Sequence, residues 1–158
     1  MYQPIQLARF SLAEFERGLE GLTDAEARAR MTKADGTEMN AISWTVGHIT
    51  RHWLQRPPEL ARYASGSTEP AAPPLADVRP LIGQARAFAE QWISGATDDL
   101  MLEVTTANGA RGENEGTSLM RTILHTWFHT GEINAIRQML GHKEIVFVGT
   151  MLPDLEWK

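Results

Sequence analysis

The stretch TSLMRTILHTWFHTGEINAIRQMLG, residues 117–141, decides the fold class of this chain. Read at helical spacing, His125, His129, Glu132, Ile133, Ile136 and Leu140 fall on one stripe, the recurrence at i, i+3, i+4 and i+7 that marks a helix burying one face. The helix begins at Thr117 or Ser118 and ends at Leu140, with Gly141 in the position just past the end that favours a left-handed residue. Both histidines stand at the top of an otherwise apolar seam, so burial is expected for both.

Working outward, the other segments also read as helices. Toward the N-terminus, Leu100-Met101-Leu102-Glu103-Val104 followed by Asn108-Gly109-Ala110-Arg111-Gly112 suggests a marginal hairpin. Before it, Val78, Leu81, Ile82, Ala85, Phe88, Ala89, Trp92 and Ile93 give a broad apolar face to a helix over 77–94, stopped by Gly95. The Ser-, Gly-, Ala- and Pro-rich run 63–74 reads as an irregular surface crossing, whose length suggests that the helices on either side of it are not simple hairpin neighbours. A helix from an Asn40 cap to about Gln55 carries the stripe Ile42, Val46, Ile49 and Trp53, and Pro57-Pro58 forbid its continuation. Ile5, Leu7, Phe10, Leu12 and Phe15 predict a helix over 4–19, closed by Gly21. Thr23-Asp24-Ala25-Glu26 has the form of a capping box and predicts a short helix to about Met31, followed by a loop over 32–38. Beyond Gly141, the tail 143–158 carries Ile145-Val146-Phe147-Val148 and Trp157, apolar surface expected to pack on the helices or on another subunit. The sum is an all-α fold, with residues 1–158 as a single domain.

Composition narrows the function. A length of 158 residues with 42% hydrophobic and 22% charged residues is globular, and it can form a core without disulfide or metal staples. A net charge of -5 gives no reason to expect nucleic acid or an acidic lipid surface as partner. No stretch is long and apolar enough for a membrane span, and residues 1–10 lack the pattern of a signal peptide, so a cytoplasmic protein is expected. The chain has no cysteine, which excludes disulfides, thiolate-ligated zinc and a protein-borne thiol nucleophile.

Four of the five histidines form two pairs at i, i+4 spacing: His125 with His129, and His48 with His52. Residues four apart on a helix lie one above the other, so both imidazoles of a pair can reach one ion. Two adjacent buried imidazoles need a partner for each nitrogen and repel each other when charged; a divalent cation meets both demands. The competing reading, hydrogen bonding of each ring to a core hydroxyl or carbonyl, suffices for a single such pair. Two pairs strengthen the metal reading. His48 and His52 both flank the apolar stripe of their helix, and periodicity does not choose between them. Three imidazoles and one open position suit zinc, nickel, cobalt or iron and leave room for a water or a substrate atom. Glu132, one turn beyond His129, is a candidate second-shell partner or general base. His142 reads as a favourable charge at a helix C-terminus. Trp44, Trp53, Trp92 and Trp127 read as core residues that could also line a pocket, and Arg137 as a surface residue that could meet an anionic substrate.

The runs Asn40-Ala41-Ile42-Ser43-Trp44-Thr45-Val46-Gly47-His48 and Ile123-Leu124-His125-Thr126-Trp127-Phe128-His129-Thr130-Gly131-Glu132-Ile133 together resemble the DinB-like (YfiT-like) superfamily of metal-dependent enzymes. The motifs occur in the family's order and separation, and the resemblance covers nearly the whole chain. It implies a four-helix bundle with long inter-helix connections and a non-sequential helix arrangement, and a divalent metal, zinc or nickel foremost, held by His48, His125 and His129. It selects His48 because the family's first ligand follows a Trp-x-x-Gly-like stretch. His52 stands where the family often has another polar residue, which leaves it as a candidate fourth ligand, a second-shell group or a pocket wall. Related proteins often pair, so a homodimer is expected.

Members with known activity are similar to transferases and isomerases that use a low-molecular-weight thiol such as bacillithiol, mycothiol or glutathione. The resemblance therefore implies a small-molecule substrate and a thiol cosubstrate, chemistry that a cysteine-free chain could not supply by itself. The alternatives are hydrolysis by a metal-activated water with Glu132 as base, and a noncatalytic, stress-associated metal-binding protein in which the ion joins two helices.

Overall fold

The computed structural model describes residues 3–67, 72–105 and 112–145. Four long helices dominate it: α1 (Gln3–Arg17), α3 (Ile42–Trp53), α4 (Leu75–Ser94) and α6 (Glu115–Met139). Two single-turn helices, α2 (Asp24–Arg28) and α5 (Asp98–Leu102), and a 3-10 helix over Pro58–Tyr63 lie between them. The one ladder among the described residues is a two-residue antiparallel pair, β1 (Val104–Thr105) with β2 (Glu113–Asn114), in the register Val104 opposite Asn114.

α1 buries Ile5, Ala8, Leu12 and Phe15, a spacing that keeps one stripe inward over the whole helix. Gly21, at φ +70°, turns the chain into α2. There the Thr23 side chain accepts from the Glu26 amide and the Glu26 carboxylate accepts from the Thr23 amide, the expected capping box. α2 stops at Arg28, short of Met31, because the Met31 carbonyl instead accepts from the Met39 amide beside the bridge of Thr32 to Glu38. Asp24 also accepts from the Leu75 amide at 2.7 Å, tying this turn to the start of α4.

α3 is buried on nearly every face from Ile42 to Thr50. Its cap is Ala41, with no side-chain hydrogen bond, and not Asn40. Thr45 and Thr50 hydrogen-bond carbonyls of their own helix, at Ala41 and at Val46, which lets polar residues sit inside. The helix ends at Trp53, before Gln55, since Gln55 and Arg56 take φ of 58° and 60° and the Arg56 amide folds back to the Arg51 carbonyl at 2.7 Å.

The 3-10 helix then lies against α3, and α3 and α4 pack directly on each other. The two helices on either side of the long connection are thus in contact, with the 3-10 helix between them in sequence. Leu100, Met101 and Leu102 belong to α5 and not to a strand, because Thr97 caps the Leu100 amide and starts a helical turn. The turn residues 108–111 and the tail 146–158 lie outside the described residues.

α6 begins at Glu115, two residues before Thr117, because Asn114 caps the Thr117 amide at 2.8 Å; Gly141, at φ +90°, follows its end. α1 packs on α4 and α6, and α3 packs on the same two helices. The consequence for the site is that α3 and α6, far apart in sequence, meet face to face. Among the described residues no helix is long and apolar enough to cross a membrane.

Candidate metal centre

His48 is only 3% exposed, on the part of α3 that faces α6. Trp44, one turn earlier, stacks on its ring at 4.7 Å and 13°. Its Nδ1 lies 2.7 Å from the Tyr63 carbonyl oxygen. A carbonyl only accepts, so Nδ1 carries the proton and donates, leaving a lone pair on Nε2. Gly47 makes this possible: a Cβ there would stand 2.5 Å from the Tyr63 ring. The glycine admits the ring, and the ring's residue fixes the histidine.

His129 is built the same way from the other side. It is 7% exposed, and its Nδ1 lies 2.7 Å from the Glu132 carboxylate one turn on. Nδ1 donates to that acceptor, and Nε2 again presents a lone pair. His125 completes the set, with its Nε2 3.3 Å from His48 Nε2 and 3.1 Å from His129 Nε2. These ligand atoms of His48, His125 and His129 all lie within 4.8 Å of one another.

The donor set fits a cation better than it fits hydrogen bonds. One proton on His125 Nε2 can satisfy His48 or His129 but not both, so hydrogen bonding within the set leaves one lone pair without a donor. Nitrogens that share an ion about 2.0–2.1 Å away stand about 2.8–3.4 Å apart for right-angled to tetrahedral ligation, and the separations of His125 from His129 and His48, 3.1 and 3.3 Å, fall in that range. Three histidines here can hold a metal ion.

The protonation states agree. Burial pushes His48 below the ordinary imidazole value, the Tyr63 carbonyl opposing it. Burial, then the neighbouring His129 and His48, push His125 down to about 4. His52 is pushed down to about 3 by burial and then by His125 and His48. Near neutral pH these rings are uncharged and their lone pairs are available.

The remaining candidates separate. The His52 ring stands edge-on to His125 at 4.5 Å and to His48 at 4.9 Å, yet its nitrogens are not in the converging set. Glu132 touches the site only through the Nδ1 of His129, on the side of the ring away from the converging nitrogens. Arg137 is not a surface residue: it is 6% exposed, and its Nη1 donates to the carbonyls of Gly18 at 3.0 Å and Glu20 at 2.8 Å, pinning the end of α1 to α6. His142 lies 3.0 Å from the Glu26 carboxylate, outside the site. Trp44 and Trp53 are buried and Trp92 and Trp127 pack on the core.

Two supporting contacts have no counterpart in the sequence reading. The Tyr63 carbonyl is a backbone atom, and no side-chain pattern announces it. The Trp53 indole donates to Thr126 Oγ1 at 3.0 Å while Thr126 donates to the Thr122 carbonyl, which locks α3 to α6 beside the centre. Gly47 did carry a signal, since a glycine inside a helix costs stability and invites a search for a close neighbour. With His48 and His129 buried, the centre is reached past His125 and His52, which line an open groove with Thr117, Met120, Arg121 and Leu124. Comparison with protein-family models and with curated protein sequences returns no significant match.

Proposed function

We propose that His48, His125 and His129 hold a divalent cation with one open position. On this reading the protein is a DinB-like metal-dependent transferase or isomerase acting on a small electrophile with a low-molecular-weight thiol. The observation that carries the metal part is the convergence of three Nε2 atoms at 3.1 and 3.3 Å. The paired motifs around His48 and His125 support the family part, and the lack of cysteine supports an external thiol. The cytoplasm, where small thiols stay reduced, suits that cosubstrate.

When bound, the cation supplies a Lewis acid that lowers the pKa of a thiol or water brought to it. The chain's own residues set the stage for this. The Tyr63 carbonyl and the Glu132 carboxylate each hold one Nδ1 proton, fixing both rings with Nε2 inward. Burial of His48 and His129 restricts water to the groove side. Glu132 is therefore a positioning residue. Hydrolysis with Glu132 as general base would need that carboxylate on the open face, and its bond to His129 turns it to the back of the ring.

The test joins elemental analysis to turnover. Purified wild type should contain a stoichiometric divalent metal that His48→Ala and His129→Ala lack. Metal-loaded protein should transfer one of several small thiols to a chromogenic electrophile faster than His125→Ala does. Metal-free wild type overturns the centre; full metal with no thiol-dependent rate overturns the reaction and leaves a noncatalytic ion site.

A further inference from the structure

A cavity of about 410 Å³ lies between the N-terminal part of α1, α5 and the first turns of α6. Ile5, Met101, Leu102 and Leu119 line it, and its size falls within the range of about 300–1,000 Å³ typical of small-ligand sites. Two polar residues of its wall are already engaged. Thr97 Oγ1 accepts from the Leu100 amide, and Asn114 Oδ1 accepts from the Thr117 amide. Asp98 and Thr117 are the other polar residues of the wall, and the rest of the lining is apolar, so contact with a ligand there is mainly apolar.

The cavity adjoins the approach to the histidines. Thr117 and Met120 line both it and the open groove that contains His52 and His125. Met120, unbranched and adaptable, forms the shared wall. Exposed apolar side chains line both: Leu102 and Met120 in the cavity wall and Leu124, 64% exposed, in the groove, with Phe128, 69% exposed, one turn further along α6. Large apolar side chains gathered on one face mark a binding surface.

We propose that this cavity is a binding site for the apolar body of the substrate, a linear alkyl chain or an aromatic ring, whose reactive end lies in the groove at His125. The inference rests on the proposed function for the reactive end alone; the cavity stands on its own geometry. The site then selects electrophiles by an apolar tail, and Met101, Leu119 and Met120 are its specificity-determining residues.

Calorimetric titration of metal-free wild type with 1-butanol, 1-hexanol and 1-octanol tests the cavity without the metal. Saturable one-to-one binding is expected, tightening about three- to fourfold for each added methylene. Ala96→Phe, which puts a ring into the cavity wall, should weaken octanol at least about tenfold while leaving metal content unchanged. Met120→Asp should do the same by charging the shared wall, so the outcome does not depend on one variant folding.

No saturable binding, or affinity independent of chain length, overturns the proposal. So does a dimer that Leu124→Asp dissociates in protein that binds no alcohol, since the surface then belongs to a second copy. Alcohol binding by a protein that, purified without chelator, contains no metal and takes none up would sink the proposed function and leave the cavity site standing. The reverse result would sink only the cavity site.

Discussion

α3 and α6 carry the same His-x-x-x-His spacing and use it differently. On α6 both rings turn their Nε2 atoms to one point, 3.1 Å apart. On α3 only His48 reaches that point, while His52 lies edge-on to His125 with its nitrogens outside the set. Helical geometry is common to both pairs, so the difference comes from what holds each ring. Tyr63 fixes His48 and Glu132 fixes His129 by their Nδ1 atoms, whereas among the described residues no such acceptor orients His52 toward the centre. Spacing allows a pair to share an ion; a second, orienting contact decides whether it does.

Breaking the α6 pair should have the largest effect. His125→Ala removes the nitrogen that stands between the other two and should lower metal affinity by more than about 100-fold, read by competition with a chelator dye. Removing an orienting contact should come next: Glu132→Ala should weaken metal about 10- to 100-fold, with Glu132→Gln, which still accepts, recovering part of it. If Glu132→Ala instead kept full affinity, the account of how His129 is held would be wrong.

Gly47→Ala sharpens the α3 side. Its new Cβ would stand 2.5 Å from the Tyr63 ring, so the 3-10 helix must shift, at about 1–3 kcal/mol of stability by urea denaturation. Because Tyr63 also holds His48, a smaller loss of metal affinity should accompany it. His52→Ala should change least, with metal content equal to wild type within a few-fold. Parity of its loss with that of His48→Ala would make His52 a ligand after all.

The same variants carry a pH signature. In the folded state His125 sits at about 4 and His52 at about 3, against an ordinary value of 6.5. Between those values and 6.5 the unfolded chain binds more protons, so metal-free protein should lose stability as pH falls from neutral toward 4. Urea midpoints at pH 7 and pH 5 measure the loss, and His52→Ala should shrink the difference between them.

The corrections share a cause. The capping box at Thr23, the stop at Gly141 and most of the inward stripe of α6 agree with the expectation, since each depends on residues within a turn or two; His125, expected buried like His129, is half-buried because it lines the open groove. Arg137 was misplaced because its burial depends on the carbonyls of Gly18 and Glu20, which tertiary packing alone brings to α6. Asn40 is the cap expected from its residue type, but α3 is capped one residue later by Ala41, without a side-chain bond.

By itself, then, the sequence determined the helical character of the chain, the pairing of His125 with His129, and the absence of any sulfur nucleophile of its own, because periodicity and composition are local or additive properties. Periodicity left open which histidine of α3 meets that pair and the resemblance selected His48; the tertiary structure brings His48 to it, at a separation of 77 residues along the chain. It also decided that a backbone carbonyl at Tyr63 orients it and that an apolar cavity adjoins the approach to His125. Those features depend on which surfaces α3, α6 and the 3-10 helix present to one another, and helical periodicity describes each surface without saying what it will face.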